Sequence, residues 1–169
     1  MLFRCRICGD PYIGETKPSR CPFCGAYENF IVDAKDYRET FDVELSEADR
    51  ANAEKALEVE LSNSSFYFCA AEKSDDEVAR QMFKALGKVE AEHAAIWKKI
   101  LKLGKTMPKP EGCSGSARDN MGESHERETR AIAFYGKALS ESGHPRVRQI
   151  FAALVQVETD HLRLSENYG

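Results

Sequence analysis

Two Cys-x-x-Cys-Gly pairs near the amino end form the first group of residues whose spacing could do chemistry. They combine Cys5 with Cys8 and Cys21 with Cys24. Such a pair turns two thiolates toward one ion, and its glycine can take the left-handed conformation that points backbone N–H groups at sulfur. Two pairs complete a tetrahedral site of four sulfurs. Spacing alone leaves two metals open for this site, a structural zinc or a redox iron.

A second group of residues lies in the rest of the chain and occurs twice. The two copies are separated by a constant 68 positions, and neighbouring aromatic and small residues match at the same offset. The copies consist of Glu60, Tyr67, Glu90 and His93, and of Glu128, Tyr135, Glu158 and His161. This repeat predicts two related helical hairpins.

Helical geometry places the acidic and histidine residues of this repeat in the core. Glu90 and His93 are one turn apart and in line with Leu86 and Trp97, on an otherwise apolar face. A carboxylate buried without a partner costs several kcal/mol, and four together repel one another. The acids could instead pair with Lys or Arg on solvated faces. Two Glu-x-x-His motifs, each preceded by a Glu at the same distance, favour the four-helix di-metal arrangement.

Four long helices must position these residues. Capping residues, glycines and a proline predict their bounds near 46–73, 76–103, 118–142 and 145–167. Short turns within the first and second pairs make each pair antiparallel. The thirteen residues 105–117 between the pairs reach about 43 Å when extended, close to the ~42 Å of a 28-residue helix. This connection can therefore run the length of a bundle.

The composition excludes some classes of partner. The chain has 169 residues, 19.0 kDa, a net charge of −4 and a sequence pI near 5.7, so it lacks a broad basic surface for nucleic acid. Its apolar runs are too short to span a membrane. The amino end passes into the first cysteine pair without an apolar leader, so we expect a cytoplasmic protein. We divide the chain into a cysteine-rich domain, a linker and a helical domain, at residues 1–32, 33–45 and 46–169.

Residues 1–32, called the head below, resemble rubredoxin, a small iron-sulfur electron carrier. The likeness lies in the two cysteine pairs together with Phe3, Tyr12, Pro22 and Phe30. Asp10 stands where rubredoxins often have an aromatic residue, and this departure keeps zinc open as the metal.

With the doubled ligand set behind this head, nearly the whole chain resembles a rubrerythrin, in the branch whose rubredoxin-like domain comes first. The resemblance implies an all-α, ferritin-like four-helix bundle with a small N-terminal rubredoxin-like metal-binding domain. It also implies an electron-transfer iron on Cys5, Cys8, Cys21 and Cys24. The implied di-iron centre has Glu90 and Glu158 as bridges, and its full ligand set is Glu60, Glu90, His93, Glu128, Glu158 and His161.

The same resemblance implies a function. Rubrerythrins commonly reduce hydrogen peroxide to water, with electrons that come from NAD(P)H through a separate rubredoxin-type reductase. A head docked at the end of its own bundle would lie far from Glu60, and the linker is long enough to lay the head beside its own bundle or against a neighbouring one. We expect the second arrangement, a homodimer in which each head serves the other chain's centre.

One departure from the family pattern keeps other functions open. Ala131 stands where rubrerythrins typically have an additional carboxylate, which weakens the peroxidase interpretation relative to a ferroxidase or a dioxygen-reducing oxidase. Iron storage and a non-catalytic, metal-stabilised interaction module are the remaining alternatives.

Several residues outside the ligand set could also act at these sites. Tyr67 and Tyr135 could bond the opposing carboxylates, or could only fill the core. His125 is expected to be exposed near the start of a helix. Cys69 and Cys113 have no Cys-x-x-Cys partner, so we expect a buried thiol and an exposed loop thiol.

Overall fold

The computed structural model describes residues 1–106 and 110–168, which form a small sheet followed by four helices. The strands are β1 (Leu2–Cys5), β2 (Pro11–Ile13) and β3 (Ile31–Asp33), in the order β2-β1-β3 with antiparallel neighbours. The helices are α1 (Glu47–Lys73), α2 (Glu77–Leu101), α3 (Ala117–Glu141) and α4 (Pro145–Glu166). The predicted four-helix bundle behind a small N-terminal domain is confirmed.

Side-chain caps start the helices where the sequence predicts them. The Ser46 hydroxyl accepts a hydrogen bond from the Asp49 N–H at 3.1 Å, and the Asp76 carboxylate accepts one from the Ala79 N–H at 2.7 Å. Pro145 occupies the first turn of α4. Each cap satisfies an N–H group that has no acceptor within the first turn of a helix.

Helix α2 ends earlier than predicted. Lys102 takes the left-handed conformation with a φ of 56°, so the helix stops at Leu101 rather than at residue 103. The Leu103 N–H then turns back and donates to the Lys98 carbonyl at 2.9 Å, which closes the last turn. The predicted connection of residues 105–117 falls partly on residues 107–109, which lie outside the described residues.

The repeat in the sequence is also a repeat in packing. The rings of Tyr67 and Phe83 lie 6.0 Å apart between centroids, and those of Tyr135 and Phe151 lie 5.8 Å apart. Helix α1 packs mainly on α2, and α3 mainly on α4. The two hairpins therefore present equivalent faces to the interior. Among the described helices, none is both long and apolar enough to cross a membrane.

The segment between the head and the bundle, residues 33–45, packs against both. Tyr37 and Phe41 in this segment are buried. The Phe41 ring centroid lies 5.2 Å from Lys99 Nζ of α2 and 5.0 Å from the Arg146 guanidinium of α4. The segment therefore returns along the bundle and brings the head to the side of α2 and α4.

Candidate metal centres

Four buried cysteine sulfurs meet in the head. Cys5 Sγ lies 3.7 Å from Cys24 Sγ, and Cys8 Sγ lies 3.7 Å from Cys21 Sγ. Sulfurs that bind one tetrahedral ion at about 2.3 Å are separated by roughly 3.8 Å, so the cluster fits a single zinc or iron ion. The glycines after the two pairs have φ values of 88° and 76°, as the sequence predicts. The Ile7 N–H points at Cys5 Sγ, 3.4 Å away.

Contact among the four thiols separates their pKa values. Hydrogen bonding with Cys21 lowers the pKa of Cys5 and raises the pKa of Cys8. Hydrogen bonding with Cys24 lowers the pKa of Cys21, and the pKa of Cys24 itself is raised by its bond with Cys21. Without a cation, the sulfurs therefore share protons among themselves. A bound metal ion replaces those protons and takes all four groups as thiolates.

A second cluster lies inside the bundle, and every helix contributes to it. Its ligand atoms form two overlapping groups, within each of which all the atoms lie within 4.8 Å of one another. Glu90 and Glu158 belong to both groups, which is the position that a bridging carboxylate would hold. The structure thus brings together six buried side chains that the sequence analysis selected: Glu60, Glu90, His93, Glu128, Glu158 and His161.

The two imidazoles of this cluster face glutamates of the opposite helix. Their ring centroids are 6.2 Å apart and their planes are inclined by 16°. His93 Nδ1 lies 3.0 Å from Glu158 Oε1, and His161 Nδ1 lies 3.0 Å from Glu90 Oε1. The ligand sets of α2 and α4 therefore cross one another. This arrangement suits two ions that share the glutamates between them.

Burial and charge divide the four carboxyl groups into two kinds. Burial, followed by the charge of a neighbouring glutamate, raises the pKa of Glu60 and of Glu128 well above the usual range. Burial also opposes ionisation of Glu90 and Glu158. For these two, the proximity of neighbouring side chains and the charge of the histidines outweigh burial, and the pKa is lowered.

The histidines balance the charge of the carboxylates. Burial acts to lower the pKa of His93 and His161, but the surrounding glutamates raise the pKa of both well above the ordinary value. Without metal ions, the cluster thus favours protons on Glu60, Glu128 and the two histidines, and ionised carboxylates at Glu90 and Glu158. Protons supply the positive charge that two divalent cations would supply to four carboxylates.

Several buried atoms of the cluster lack the geometry of any hydrogen bond. They are Glu60 Oε2, both carboxylate oxygens of Glu90, Glu128 Oε2, Glu158 Oε1 and His93 Nδ1. A buried carboxylate oxygen without a partner costs free energy unless a cation or a donor satisfies it. Carboxylate and imidazole ligands suit first-row transition metals such as iron. The residues present therefore fit two such ions.

Two buried tyrosines contact the carboxylates of Glu60 and Glu128, called the outer carboxylates below, from the opposite hairpin. The Tyr67 hydroxyl donates a hydrogen bond to Glu128 Oε1, and the Tyr135 hydroxyl donates one to Glu60 Oε1. Each bond joins one hairpin to the other and orients a ligand carboxylate. Both tyrosines therefore contact a carboxylate of the other hairpin, and both of their rings also fill the core.

Sequence analysis missed one hydroxyl at this site. Ser124 is fully buried, and its Oγ lies 2.9 Å from the Tyr67 hydroxyl, so this tyrosine has a second partner. The repeat could not reveal it, because the residue 68 positions earlier is Ala56. The sequence signal that could have revealed it is a serine at a core-facing position of α3.

A cavity of about 730 Å³ lies between α1 and α3. Ala131, one turn after Glu128, is buried and lines this cavity. Its counterpart in the repeat, Asn63, also lines it, and the Asn63 Nδ2 group is buried without a partner. At position 131, where the resemblance places an additional carboxylate, this chain thus has only a methyl group beside the cavity.

One backbone carbonyl joins the two clusters. His93 Nε2 donates a 2.9 Å hydrogen bond to the Cys24 carbonyl, while Nδ1 of the same ring faces the glutamates. Lys99 Nζ donates to the Cys8 carbonyl at 2.6 Å and holds the head in place. The head therefore lies beside its own centre and not at the end of the bundle, because residues 33–45 return along the bundle.

Two further expectations are corrected. Cys69 and Cys113 are not separate thiols: they are joined by a disulfide, with Cα atoms 5.9 Å apart. The bond depends on how the chain after α2 passes the end of α1, and residue spacing does not show this. His125 is half-buried rather than exposed, and its Nδ1 lies 3.4 Å from Ser165 Oγ.

Comparison with known proteins agrees with this geometry. The family model for rubrerythrin matches residues 52–167, which include all six residues of the bundle cluster. The chain belongs to the rubrerythrin family. This rubrerythrin carries its four-cysteine head before the bundle, as the resemblance predicted.

A curated relative supports this assignment. Reverse rubrerythrin-1 of Clostridium acetobutylicum is 31% identical over 114 residues, which cover 59% of this rubrerythrin and 61% of the relative. The match thus spans less than two thirds of the relative's length. No solved structure matches the chain significantly.

Proposed function

We propose that this rubrerythrin is a non-haem di-iron peroxidase that reduces hydrogen peroxide to water and so protects against oxidative stress. Each peroxide consumes two electrons and two protons and yields two water molecules. The observation that carries the proposal is the hydrogen bond between His93 of the bundle centre and the Cys24 carbonyl of the head. The four-cysteine cluster lies directly beside a centre that fits two metal ions. This arrangement supports a one-electron donor in the head, and neither iron storage nor a structural module needs it.

Several side chains of the bundle centre have separate roles in the proposed reaction. Two ferrous ions held by the shared glutamates would supply the two electrons that cleavage of the O–O bond needs. Burial, followed by the charge of the nearby glutamates, raises the pKa of Tyr67 and Tyr135 well above the usual value. Both hydroxyls therefore stay protonated at neutral pH and keep the outer carboxylates oriented. Fully buried aromatic side chains around the site exclude bulk water.

The metal proposed for the head is iron. Zinc has no redox chemistry, so a zinc ion on the four cysteines would leave the contact with His93 without an electron to carry. Metal analysis and the visible spectrum of the purified protein test this point. About three irons per chain support the proposal, and zinc in the head removes the internal electron donor.

Stopped-flow mixing of the anaerobically reduced protein with hydrogen peroxide and with dioxygen tests the proposed reaction. We expect peroxide to reoxidise the bundle centre faster. Glu128→Ala should abolish this reaction, and Glu126→Ala, an exposed position on the same helix, should leave it unchanged. A clear preference for dioxygen would refute the peroxidase proposal. It would support a ferroxidase or a dioxygen-reducing oxidase, the alternative that the missing carboxylate at Ala131 favours.

The electron donor and the assembly are further parts of the proposal. We propose that an NAD(P)H-dependent reductase of the rubredoxin type docks on the head, where Met1, Leu2 and Ile13 form an exposed apolar patch at one end of the β1–β2 pair. Ile13→Glu should slow NADH-driven turnover at limiting reductase but not turnover with dithionite. Val78→Glu, at an exposed apolar position of the bundle, is the control. We also propose a homodimer, which light scattering tests directly.

A further inference from the structure

We propose that the buried guanidinium of Arg146 is the counter-charge of the four-cysteine cluster and raises the reduction potential of the head. This inference deepens the proposed function and rests on it, because it requires iron in the head. It makes a residue of the bundle, and not only the head itself, responsible for how readily the head accepts an electron.

Arg146 lies at the start of α4 and reaches into the first cysteine pair. Its Nη2 group donates a 3.1 Å hydrogen bond to the carbonyl of Ile7, which stands between the two cysteines of that pair. Its Nη1 group donates to Gln149 Oε1 at 2.7 Å, and the Phe41 ring covers the guanidinium at 5.0 Å from the ring centroid. The residue is only 7% exposed, so water does little to balance its charge.

The positive charge of Arg146 lacks a bonded acid. Within the described part of the chain, the hydrogen bonds of the guanidinium go to neutral acceptors, and its Nε group is buried without a partner. Arg146 also lies in the first turn of α4, at the positive end of the helix dipole, and that turn contains no acidic residue. A buried charge in such a place costs several kcal/mol unless a negative charge lies near it.

The cysteine cluster is the buried source of that negative charge. Burial lowers the pKa of Arg146, and charge on Tyr37, Cys5, Glu39 and Cys8 opposes this decrease. Tyr37 is uncharged at neutral pH because burial raises its pKa, and water screens Glu39, which is exposed. The thiolates of Cys5 and Cys8 therefore remain as the partners of a guanidinium that stays protonated.

Reduction of the head increases the negative charge beside Arg146. Four thiolates around a ferric ion carry one net negative charge, and around a ferrous ion they carry two. One electron arrives from the proposed reductase, and no proton has to follow it because the thiolates stay bound to the ion. A buried cation stabilises the form with the larger negative charge more strongly. Arg146 therefore favours the reduced head.

Two other cations of the bundle provide matched comparisons. Lys99 Nζ also donates to a carbonyl of the first cysteine pair, that of Cys8, but its side chain is exposed. Water and salt screen such a charge, so we expect a smaller effect from it. Arg148, two residues after Arg146, is exposed and donates to carbonyls at the end of α3, away from the head.

The test is an anaerobic redox titration of the iron-loaded chain, followed by the visible absorption of the head. Arg146→Gln and Arg146→Met remove the charge and should lower the equilibrium constant for reduction of the head by about tenfold, which is about 59 mV for one electron. Arg146→Lys keeps the charge and should retain most of the potential. Two uncharged variants are used because a buried amide without a partner can itself destabilise the fold.

The comparison residues give the controls. Lys99→Gln should change the potential less than Arg146→Gln, and about 1 M salt should remove the effect of Lys99→Gln while that of Arg146→Gln persists. Arg148→Gln should leave the potential unchanged.

Two results overturn the proposal. If Arg146 only holds the head in place, its uncharged variants will have lower midpoints in urea denaturation and an unchanged head potential. If Arg146→Lys loses as much potential as Arg146→Gln, the charge is not the cause. Failure of the proposed function is distinguishable: metal analysis that finds no iron in the head refutes the iron proposed there, and this inference with it. A preference for dioxygen over peroxide refutes only the peroxidase, because neither oxidant enters the titration.

Discussion

Loading the bundle centre with divalent cations should expel protons from it. Burial and neighbouring charges raise the pKa values of Glu60 and Glu128, and the surrounding glutamates raise those of His93 and His161, so in the ion-free cluster all four groups hold their protons more tightly. Each of these groups must lose its proton before it can bind a metal ion. We therefore expect metal binding to release protons from these groups.

The pH dependence follows from the same four groups. Lower pH favours the protonated cluster and opposes metal binding, so the affinity rises with pH. The overall binding constant for two ions should therefore increase with pH while these groups remain protonated. The stability that these protons give the ion-free chain is complete below the unfolded values, roughly 4.3 for Glu and 6.5 for His. It is lost as the pH rises through the raised folded values.

Calorimetric titration in buffers of different ionisation enthalpy measures the released protons. The head is loaded first so that the cysteines contribute none. Glu60→Gln should release fewer protons than the unaltered chain, and Glu126→Gln, at an exposed position, should leave the number unchanged. Binding without proton release, or an affinity independent of pH between about 6 and 8, would show that the cluster is already ionised.

Three substitutions test other parts of the structure. Gly25→Ala should slow electron transfer from the head to the bundle, because Gly25 has a φ of 76° and an added Cβ would lie 2.9 Å from Val157 Cγ1. We expect the strained backbone to cost about 1–2 kcal/mol of stability, and unchanged head reoxidation in stopped-flow traces would exclude this contact from the path. Glu90→Ala should lose both bundle metals and keep the colour of the head, so two retained bundle metals with full activity would refute the bridging role. Tyr135→Phe should lower the free energy of unfolding by about 1–3 kcal/mol in urea denaturation, since Glu60 Oε1 loses its donor; an unchanged midpoint would contradict this.

The helices and the residues of the bundle cluster could be predicted from the sequence because both depend on short-range regularities. Helical periodicity places Glu90 and His93 on one face, and the same spacing recurs at Glu158 and His161. Burying four acids in one interior requires cations, whatever the exact packing. The cysteine pairs are equally local, since each needs only a tight turn with a glycine in the left-handed conformation.

Only the tertiary structure decided how these local units meet. The bond from His93 to the Cys24 carbonyl joins residues 69 positions apart, and the disulfide of Cys69 and Cys113 joins residues 44 positions apart. Both contacts depend on the direction the chain takes after an irregular segment, and no periodic pattern encodes that direction. Ser124 is a third case, because its partner Tyr67 approaches from the other hairpin. The sequence determined what each centre is made of, and long-range packing decided which groups lie beside it.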